Sequence, residues 1–311
     1  MENINPTNPP KPSEHFDMIC GTSTGGLIAI MLGRLRLSVQ ECIDEYLKLS
    51  PLIFVKAKHR LKFDASVQGR FDHEAFERGI RNMLVKYSFS EDALFREKQA
   101  DPPCKVFVCA TSYAHRGVVV LSNYYSDRRD SELWSTAKIW EVARATSAAP
   151  TFFDPITISG EKFGDGALGA NNPVQELEEE AKDVWGRRDP TWNFEANIRC
   201  LVSVGTGKLA LDPFHETFWS LKMLKSLQGI LTETEKTANH FQKIHTDLFQ
   251  KNHAFRFNVD QGPEEVGLEE TNEIDNVKAL TRNYIGKETV YIAFGHCVQQ
   301  LKDRGCSSIY A

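Results

Sequence analysis

The sequence has no apolar run that approaches the roughly 18 residues needed for a membrane-spanning helix. It has no usable Asn-x-Ser/Thr glycosylation site, because the stretch at 5–7 carries a proline in its middle. Residues 1–12 are polar and proline-rich, unlike a secretory signal. The seven cysteines, an odd number, have no paired spacing. These absences favour reduced thiols and predict a cytoplasmic location.

An excess of positive charge is also absent. Lys and Arg number 37 against 42 Asp and Glu, a net charge of −5, so we expect no nucleic-acid partner. The His-Glu pairs at 73–74 and 215–216 lack the second histidine of a zinc-binding helix. The Gly-Thr-Gly-Lys run at 205–208 lacks the remaining residues of a phosphate loop. We therefore expect neither a metal nor a cofactor.

Short apolar runs at 16–20, 106–110 and 200–204 predict buried strands of a parallel sheet. Helical patterns alternate with them, and two have clear start signals. Ser38 and Glu41 have the spacing of a capping box, while Asp72 is expected to cap the next helix. Pro51 is expected to close the first of these helices. The alternation predicts an α/β fold with helices on both sides of a central sheet, in a single domain spanning 1–311.

Residues 21–26 read Gly-Thr-Ser-Thr-Gly-Gly, between a predicted strand and an apolar helix. This arrangement is typical of a nucleophile elbow, a tight turn that exposes a serine hydroxyl, here that of Ser23. Gly21 and Gly25 are expected to give the turn room, and Gly26 to let the helix approach its neighbours. The backbone N–H of Thr24, at the start of the helix, is a candidate donor to an oxyanion.

A serine hydroxyl needs a base to take its proton. One candidate is a histidine backed by an acid. Histidines 215, 240, 245, 253 and 296 follow Ser23, but most of them fit helix surfaces. The other candidate is Asp165, between two glycines and ahead of a helix that begins near Asn172-Pro173. An ordinary aspartate is a weak base, with a pKa near ~3.9, and could serve only in a dry site.

Several motifs in order resemble the patatin-like phospholipase family. Besides the elbow, they are Arg-Ala-Thr-Ser-Ala-Ala-Pro-Thr-Phe-Phe at 144–153, Asp-Gly-Ala at 165–167, Asn-Asn-Pro at 171–173 and Val-Ser-Val-Gly-Thr-Gly at 202–207. The sequence from 8 to 32 is similar to the fungal branch. The resemblance is strongest over 8–207, and 208–311 is mainly helical in pattern.

The resemblance implies a three-layer α/β/α fold with a mainly parallel central sheet. It also implies a metal-independent lipid acyl hydrolase whose Ser-Asp dyad consists of Ser23 and Asp165, with Asp165, Gly166 and Ala167 forming the family's Asp-Gly-Ala motif. The substrate would be a phospholipid or another fatty acyl ester. Family members carry an early strand and an Asp-Gly-Gly-Gly-x-Arg-Gly oxyanion loop before the serine, and this sequence contains neither. We therefore expect the first strand of the sheet to be missing.

Two alternatives stay open. The chain could be a catalytically impaired relative that binds lipid or a partner, or a Ser-His-Asp hydrolase of another fold. A helical pattern from 215 to 249 suits either peripheral contact with a membrane or lipid-droplet surface or core packing. Arg144 suits a lipid phosphate or a structural ion pair. The aromatic side chains at 134, 140, 152 and 153 suit an acyl pocket or the core.

Overall fold

The computed structural model describes residues 1–53, 71–99, 101–150, 152–207, 221–259 and 274–307, with the side chains of 221–232 and 304–307 left aside. The chain divides into two compact units, Met1–Leu177 and Glu178–Ala311. The strands of the described residues are β1 Met18–Thr22, β2 Lys105–Ser112, β3 Val118–Ser122, β4 Ile156–Ile158, β5 Glu161–Asp165, β6 Leu201–Val204 and β7 Ala254–Phe257.

The helices combine short turns with longer amphipathic segments. They are α1 Pro12–His15, α2 Thr24–Ala29, α3 Val39–Ile53, α4 His73–Lys86, α5 Ser131–Thr136, α6 Ile139–Thr146, α7 Ala167–Ala170, α8 Val174–Ala181, α9 Phe194–Asn197, α10 Leu221–Ile244, α11 Thr246–Gln250, α12 Ile274–Ile285 and α13 Glu288–Ser307. Two π-helical turns, Ile30–Arg34 and Lys182–Gly186, extend α2 and α8 directly.

In the first unit, β2 is the central strand, and its residues from Val106 to Ala110 are completely buried. It runs parallel to β1 and antiparallel to β3 and β5, and β5 in turn pairs with β4. In the second unit, β6 and β7 are parallel. The three runs predicted as parallel strands therefore all lie in parallel pairs, and the predicted α/β class is confirmed. The antiparallel pairs involve β3, β4 and β5, which were not among the predicted strands. Of these three, only β3, Val-Val-Val-Leu-Ser, is an apolar run.

The register of β2 explains how its neighbours are arranged. The strand β3 pairs with Phe107 to Thr111 along one edge of β2. A strand has only two edges, so β1, which pairs up to Cys109, and β5, which pairs from Ala110 onward, share the other edge. Because β1 is parallel and β5 antiparallel to β2, their carboxyl ends point toward each other. The two strands meet end to end beside Cys109 and Ala110.

Helix signals in the sequence were mostly right. Ser38 and Glu41 form the expected capping box, with bonds of 2.8 Å from Ser38 N–H to Glu41 Oε2 and 3.2 Å from Glu41 N–H to Ser38 Oγ. Asp72 caps α4 by accepting from two backbone N–H groups. The expected end at Pro51 was wrong, because α3 continues through it to Ile53. Proline has a helical φ, so it can extend a helix at the loss of one backbone hydrogen bond.

The second unit breaks the long helical pattern predicted from 215 to 249. The structure has α10 and α11 on either side of His245, which adopts a non-helical backbone conformation. The predicted portion from 215 to 220 lies outside the described residues. The contacts of the first part of α10 also lie outside them, so the membrane interpretation of this helix stays a prediction.

Candidate active site

Ser23 and Asp165 occupy the two strand ends that meet beside the middle of β2. Thr22, the last residue of β1, is in register with Cys109, and Asp165, the last residue of β5, is in register with Ala110. Ser23 follows Thr22 directly. Its hydroxyl donates a hydrogen bond of 2.8 Å to Asp165 Oδ2. The sheet register thus joins two residues that are 142 positions apart in the sequence.

The turn at Ser23 has the strained backbone expected of a nucleophile elbow. Ser23 has φ 55° and ψ −124°, a conformation that non-glycine residues rarely adopt. A Cβ at Gly21 would lie 2.0 Å from the carbonyl oxygen of Gly25, so only glycine fits there. A Cβ at Gly26 would lie 2.7 Å from the hydroxyl oxygen of Thr146. The tight approaches expected at Gly21 and Gly26 are therefore present.

The expectation for Gly25 was wrong in its physical reason. A Cβ at this position would meet nothing within 4 Å among the described residues. The backbone of Gly25 is what Gly21 must accommodate, whereas the side-chain position of Gly25 faces open space. Ser23, Thr24 and Gly25 are all partly exposed. The open face of the turn lies above these residues.

Asp165 is 1% exposed, and its carboxylate is hydrogen-bonded to two neutral groups. The carboxylate accepts from the Ser23 hydroxyl and, through Oδ1, from the backbone N–H of Ala167 at 2.8 Å. Burial raises the pKa of Asp165 to about 7, against the two hydrogen bonds, which lower it. A carboxyl with this pKa exchanges its proton near neutral pH, so it is a much better base than an exposed aspartate.

The backbone around Asp165 is held firmly. Its N–H donates to the carbonyl of Ala148 at 3.0 Å, and its carbonyl accepts from the Thr111 hydroxyl at 2.8 Å. A Cβ at Gly166 would lie 2.4 Å from the carbonyl oxygen of Cys109, so glycine is required at this position too. Ala167 contributes its N–H to the carboxylate. The Asp-Gly-Ala run therefore combines a carboxylate, a close approach and a backbone donor.

The N–H of Thr24 is the first of α2, and the first N–H groups of a helix have no partner within it. The Ser23 N–H is different, because it donates to the Thr146 hydroxyl at 2.9 Å. A hydrogen bond links the Thr24 side chain to the Tyr46 hydroxyl, whose pKa is raised by burial. Of the two N–H groups at the turn, Thr24 is thus the one available to an oxyanion.

The histidines that would serve a Ser-His-Asp arrangement all fall in the range of the second unit, and His215 among them lies outside the described residues. His240 and His296 are exposed, as expected for helix surfaces. His245 is not: it is buried between Glu178 and Glu195, with 2.9 Å from a ring nitrogen to each carboxylate. Its position in the break between α10 and α11 turns the ring inward against Phe241. The expectation of a surface position was wrong for His245.

Arg144 and the aromatic candidates serve mainly as packing. Arg144 is 1% exposed, forms an ion pair of 3.5 Å with Glu77 and lies over the ring of Phe153. Phe152 and Phe153 are buried and contact the ring of Phe71. The lipid-phosphate interpretation of Arg144 therefore has no support from its position, since a fully buried cation paired with an acid is typical of a structural role.

The two tryptophans have different environments. Trp140 lies under the guanidinium of Arg81, and its indole N–H donates to Asp92 at 3.2 Å. Trp134 contributes to a cavity of about 180 Å³ that Phe95 and Leu133 also line. Neither Ser23 nor Asp165 lines this cavity. The predicted acyl pocket next to the dyad is therefore not this cavity.

Thr146 contacts Ser23, but the sequence did not identify it as a site residue. It lies in the 144–153 block, whose resemblance to the family drew attention to the segment but gave no role to any one side chain. Its hydroxyl also donates to the carbonyl of Cys109 at 2.7 Å. A threonine at the end of an apolar helix has no local pattern that distinguishes it from ordinary packing.

A family model described as patatin-like phospholipase matches residues 9–178, more than half of the chain. The chain belongs to the patatin-like phospholipase family. The three-layer α/β/α class predicted from the sequence is that of this family.

Individual relatives are more distant. Calcium-independent phospholipase A2-gamma of Oryctolagus cuniculus is 28% identical over 253 residues, 78% of this chain and 30% of the relative. The Homo sapiens protein of the same name is 28% identical over 71% of this chain and 28% of its own length. Phospholipase A I of Arabidopsis thaliana is 28% identical over 63% of this chain and 18% of its length. This family member spans less than a third of the length of these relatives.

No helix within the described ranges is both long and apolar enough to cross a bilayer. In the same ranges, no group of three or more His, Cys, Asp or Glu side chains is arranged to hold a metal ion.

Proposed function

We propose that this chain is a lipid acyl hydrolase that cleaves fatty acyl esters, with phospholipids as the main substrate class. One observation carries the proposal: the Ser23 hydroxyl donates at 2.8 Å to Asp165, a buried carboxyl whose pKa is raised to about 7. The names of the phospholipase relatives support the substrate class. This chain spans 30% and 18% of the length of these two relatives.

The reaction proceeds in two steps through the dyad. Ser23 Oγ forms a bond to the acyl carbon while its proton passes to Asp165. The protonated Asp165 then gives this proton to the departing alcohol oxygen as the ester bond breaks. In the second step water attacks the acyl carbon of the acyl-enzyme and Asp165 takes a proton from it. As the bond between the acyl carbon and Ser23 Oγ breaks, Asp165 returns that proton to Oγ and the fatty acid leaves. The Thr24 N–H is the proposed donor to the oxyanion in both steps.

We also propose that the protein works in the cytoplasm, at the periphery of a membrane or lipid droplet. No disulfide joins the cysteines of the described ranges, and cysteines without disulfides are typical of proteins from reducing compartments. The substrate itself is found at lipid surfaces.

A fluorophosphonate probe tests the proposal, because it reacts covalently with an activated serine. The folded wild-type chain should take up one probe molecule, mapped to Ser23 by peptide mass spectrometry. Ser23→Ala should take up none, and Ser131→Ala, which alters an exposed serine of α5, should react like the wild type. Labelling that persists in folded Ser23→Ala, or a folded wild type that does not react, would contradict the proposal.

A further inference from the structure

Thr146, the last residue of α6, lies against the turn that carries Ser23. It is completely buried, and its hydroxyl has two partners. It accepts from the Ser23 N–H at 2.9 Å and donates to the Cys109 carbonyl at 2.7 Å. A single hydroxyl therefore connects the backbone of Ser23 to the central strand β2.

The Thr146 hydroxyl bonds to Ser23 and Cys109 at the point where the pairing of β1 with β2 ends. Ser23 leaves the path of β1 with a positive φ, and β5 begins its pairing with β2 at the next residue, Ala110. The Thr146 hydroxyl stands between the Ser23 N–H and the Cys109 carbonyl. Without the hydroxyl, the partly buried Ser23 N–H and the completely buried Cys109 would each lose this hydrogen bond, which is costly.

The side chain of Thr146 has little freedom to move. A Cβ at Gly26 would lie 2.7 Å from its Oγ1 and 2.8 Å from its Cγ2, so the threonine fills the space beside the first turn of α2. Threonine is branched at Cβ and stiff about χ1. Its hydroxyl is consequently fixed in position relative to Ser23.

We propose that Thr146 is a positioning residue of the dyad. By holding the Ser23 N–H it maintains the strained backbone of the turn and thereby the direction in which the Ser23 hydroxyl faces Asp165. The same bond commits the Ser23 N–H, which leaves the Thr24 N–H to meet the oxyanion. Thr146 itself does not touch the reacting atoms. This inference rests on the proposed function.

The test compares substitutions that separate the hydroxyl from the shape of the side chain. Thr146→Val keeps the shape and removes both hydrogen bonds, while Thr146→Ser keeps the hydroxyl. A displacement of about 1 Å at a reacting group costs on the order of 10²-fold in rate. We therefore expect Thr146→Val to lower kcat and the rate of fluorophosphonate labelling by ~10–100-fold, with KM changed by less than about threefold. Thr146→Ser should stay within about threefold of the wild type.

Ser122→Ala is the control for loss of a buried hydroxyl as such. Ser122 is buried in β3, and its hydroxyl donates to the Tyr124 carbonyl at 2.7 Å without touching the dyad. This variant should lose stability without slowing the labelling, measured well below its melting temperature. If Thr146→Val does not fold by circular dichroism, Thr146→Ala replaces it with the same expectation.

The outcomes separate the two proposals. A wild type that reacts at Ser23 together with a folded Thr146→Val or Thr146→Ala that reacts equally fast overturns the role of Thr146 and leaves the proposed function intact. A Thr146→Ser variant as slow as Thr146→Val overturns it as well, because the hydroxyl would then not be the group that matters. A folded wild type that does not react overturns the proposed function, and the positioning role with it.

Discussion

Each of the two units contains a carboxylate that is at least partly buried, but one has neutral hydrogen-bond partners and the other has a cationic one. In the first unit, Asp165 is bound by a hydroxyl and a backbone N–H, and its pKa is raised to about 7 by burial. In the second unit, burial alone would raise the pKa of Glu178, but hydrogen bonds from Lys182 and His245 outweigh it, so that pKa is lowered. Asp165 is 1% exposed and the Glu178 side chain 17% exposed, and only Glu178 is bonded to a lysine.

This difference separates a carboxylate suited to chemistry from one suited to structure. A carboxylate paired with cations is held in its charged form, and it is a poor proton acceptor. A buried carboxylate with neutral partners is destabilised as an anion and takes up a proton readily near neutral pH. Within the first unit, Glu77 forms an ion pair of 3.5 Å with the buried Arg144. The comparison singles out Asp165 by its surroundings rather than by its motif.

The largest expected effect comes from the same change applied to both carboxylates. Asp165→Asn should raise the free energy of unfolding at pH 8 by on the order of 1–4 kcal/mol, because it removes a buried charge whose pKa is raised from 3.8 to about 7. Glu178→Gln should lower it by about 1–3 kcal/mol, because Lys182 and His245 lose their anionic partner. Chemical denaturation followed by circular dichroism measures both. If both variants changed the free energy of unfolding in the same direction, the proposed difference between Asp165 and Glu178 would be contradicted.

A smaller effect is expected in how stability depends on pH. The pKa of Asp165 rises from 3.8 to about 7 on folding, so the folded protein holds one more proton between these values. Its contribution to stability is full below about pH 4, falls as the pH rises to about 7, and is level above that. Glu178 has the opposite sign: its pKa is lowered below 4.5, so its contribution is present above that pH and is lost on acidification.

Difference curves against the two variants measure these contributions. The free energy of unfolding of Asp165→Asn minus that of the wild type should grow from pH 4 to pH 7. The free energy of unfolding of the wild type minus that of Glu178→Gln should shrink as the pH falls below about 4.5. A difference for Asp165→Asn that is flat between pH 4 and pH 7 would mean that its pKa is not shifted by burial.

The elements that could be predicted from the sequence are those with local signals. The capping box at Ser38, the cap at Asp72 and the glycine turn around Ser23 all follow from residues within a few positions of one another. The strand β5 could not be predicted in this way, because its sequence, Glu-Lys-Phe-Gly-Asp, has no apolar run and its partners are distant in the chain. That β1 and β5 meet end to end follows from their register with β2, which joins residues far apart in the sequence.

The same distinction explains which parts of the site were missed. Ser23 and Asp165 were identified by motif, but their contact depends on the long-range pairing of β5 with Ala110. Thr146 and the buried position of His245 depend on contacts across the fold and leave no local pattern. Gly25 shows the converse: the motif suggested that its side-chain position was crowded, while the structure leaves that position open.

The pH dependence of kcat/KM for fatty-acid release from phosphatidylcholine in mixed micelles tests the central claim most directly. The wild-type kcat/KM should rise about tenfold for each pH unit up to about pH 7 and stay constant above it, because only the ionised Asp165 accepts the proton of Ser23. Folded Asp165→Asn should be at least ~10³-fold slower at every pH. A wild-type profile that is flat from pH 5 to pH 9, or an Asp165→Asn variant that keeps its activity, would contradict the assignment of Asp165 as the base.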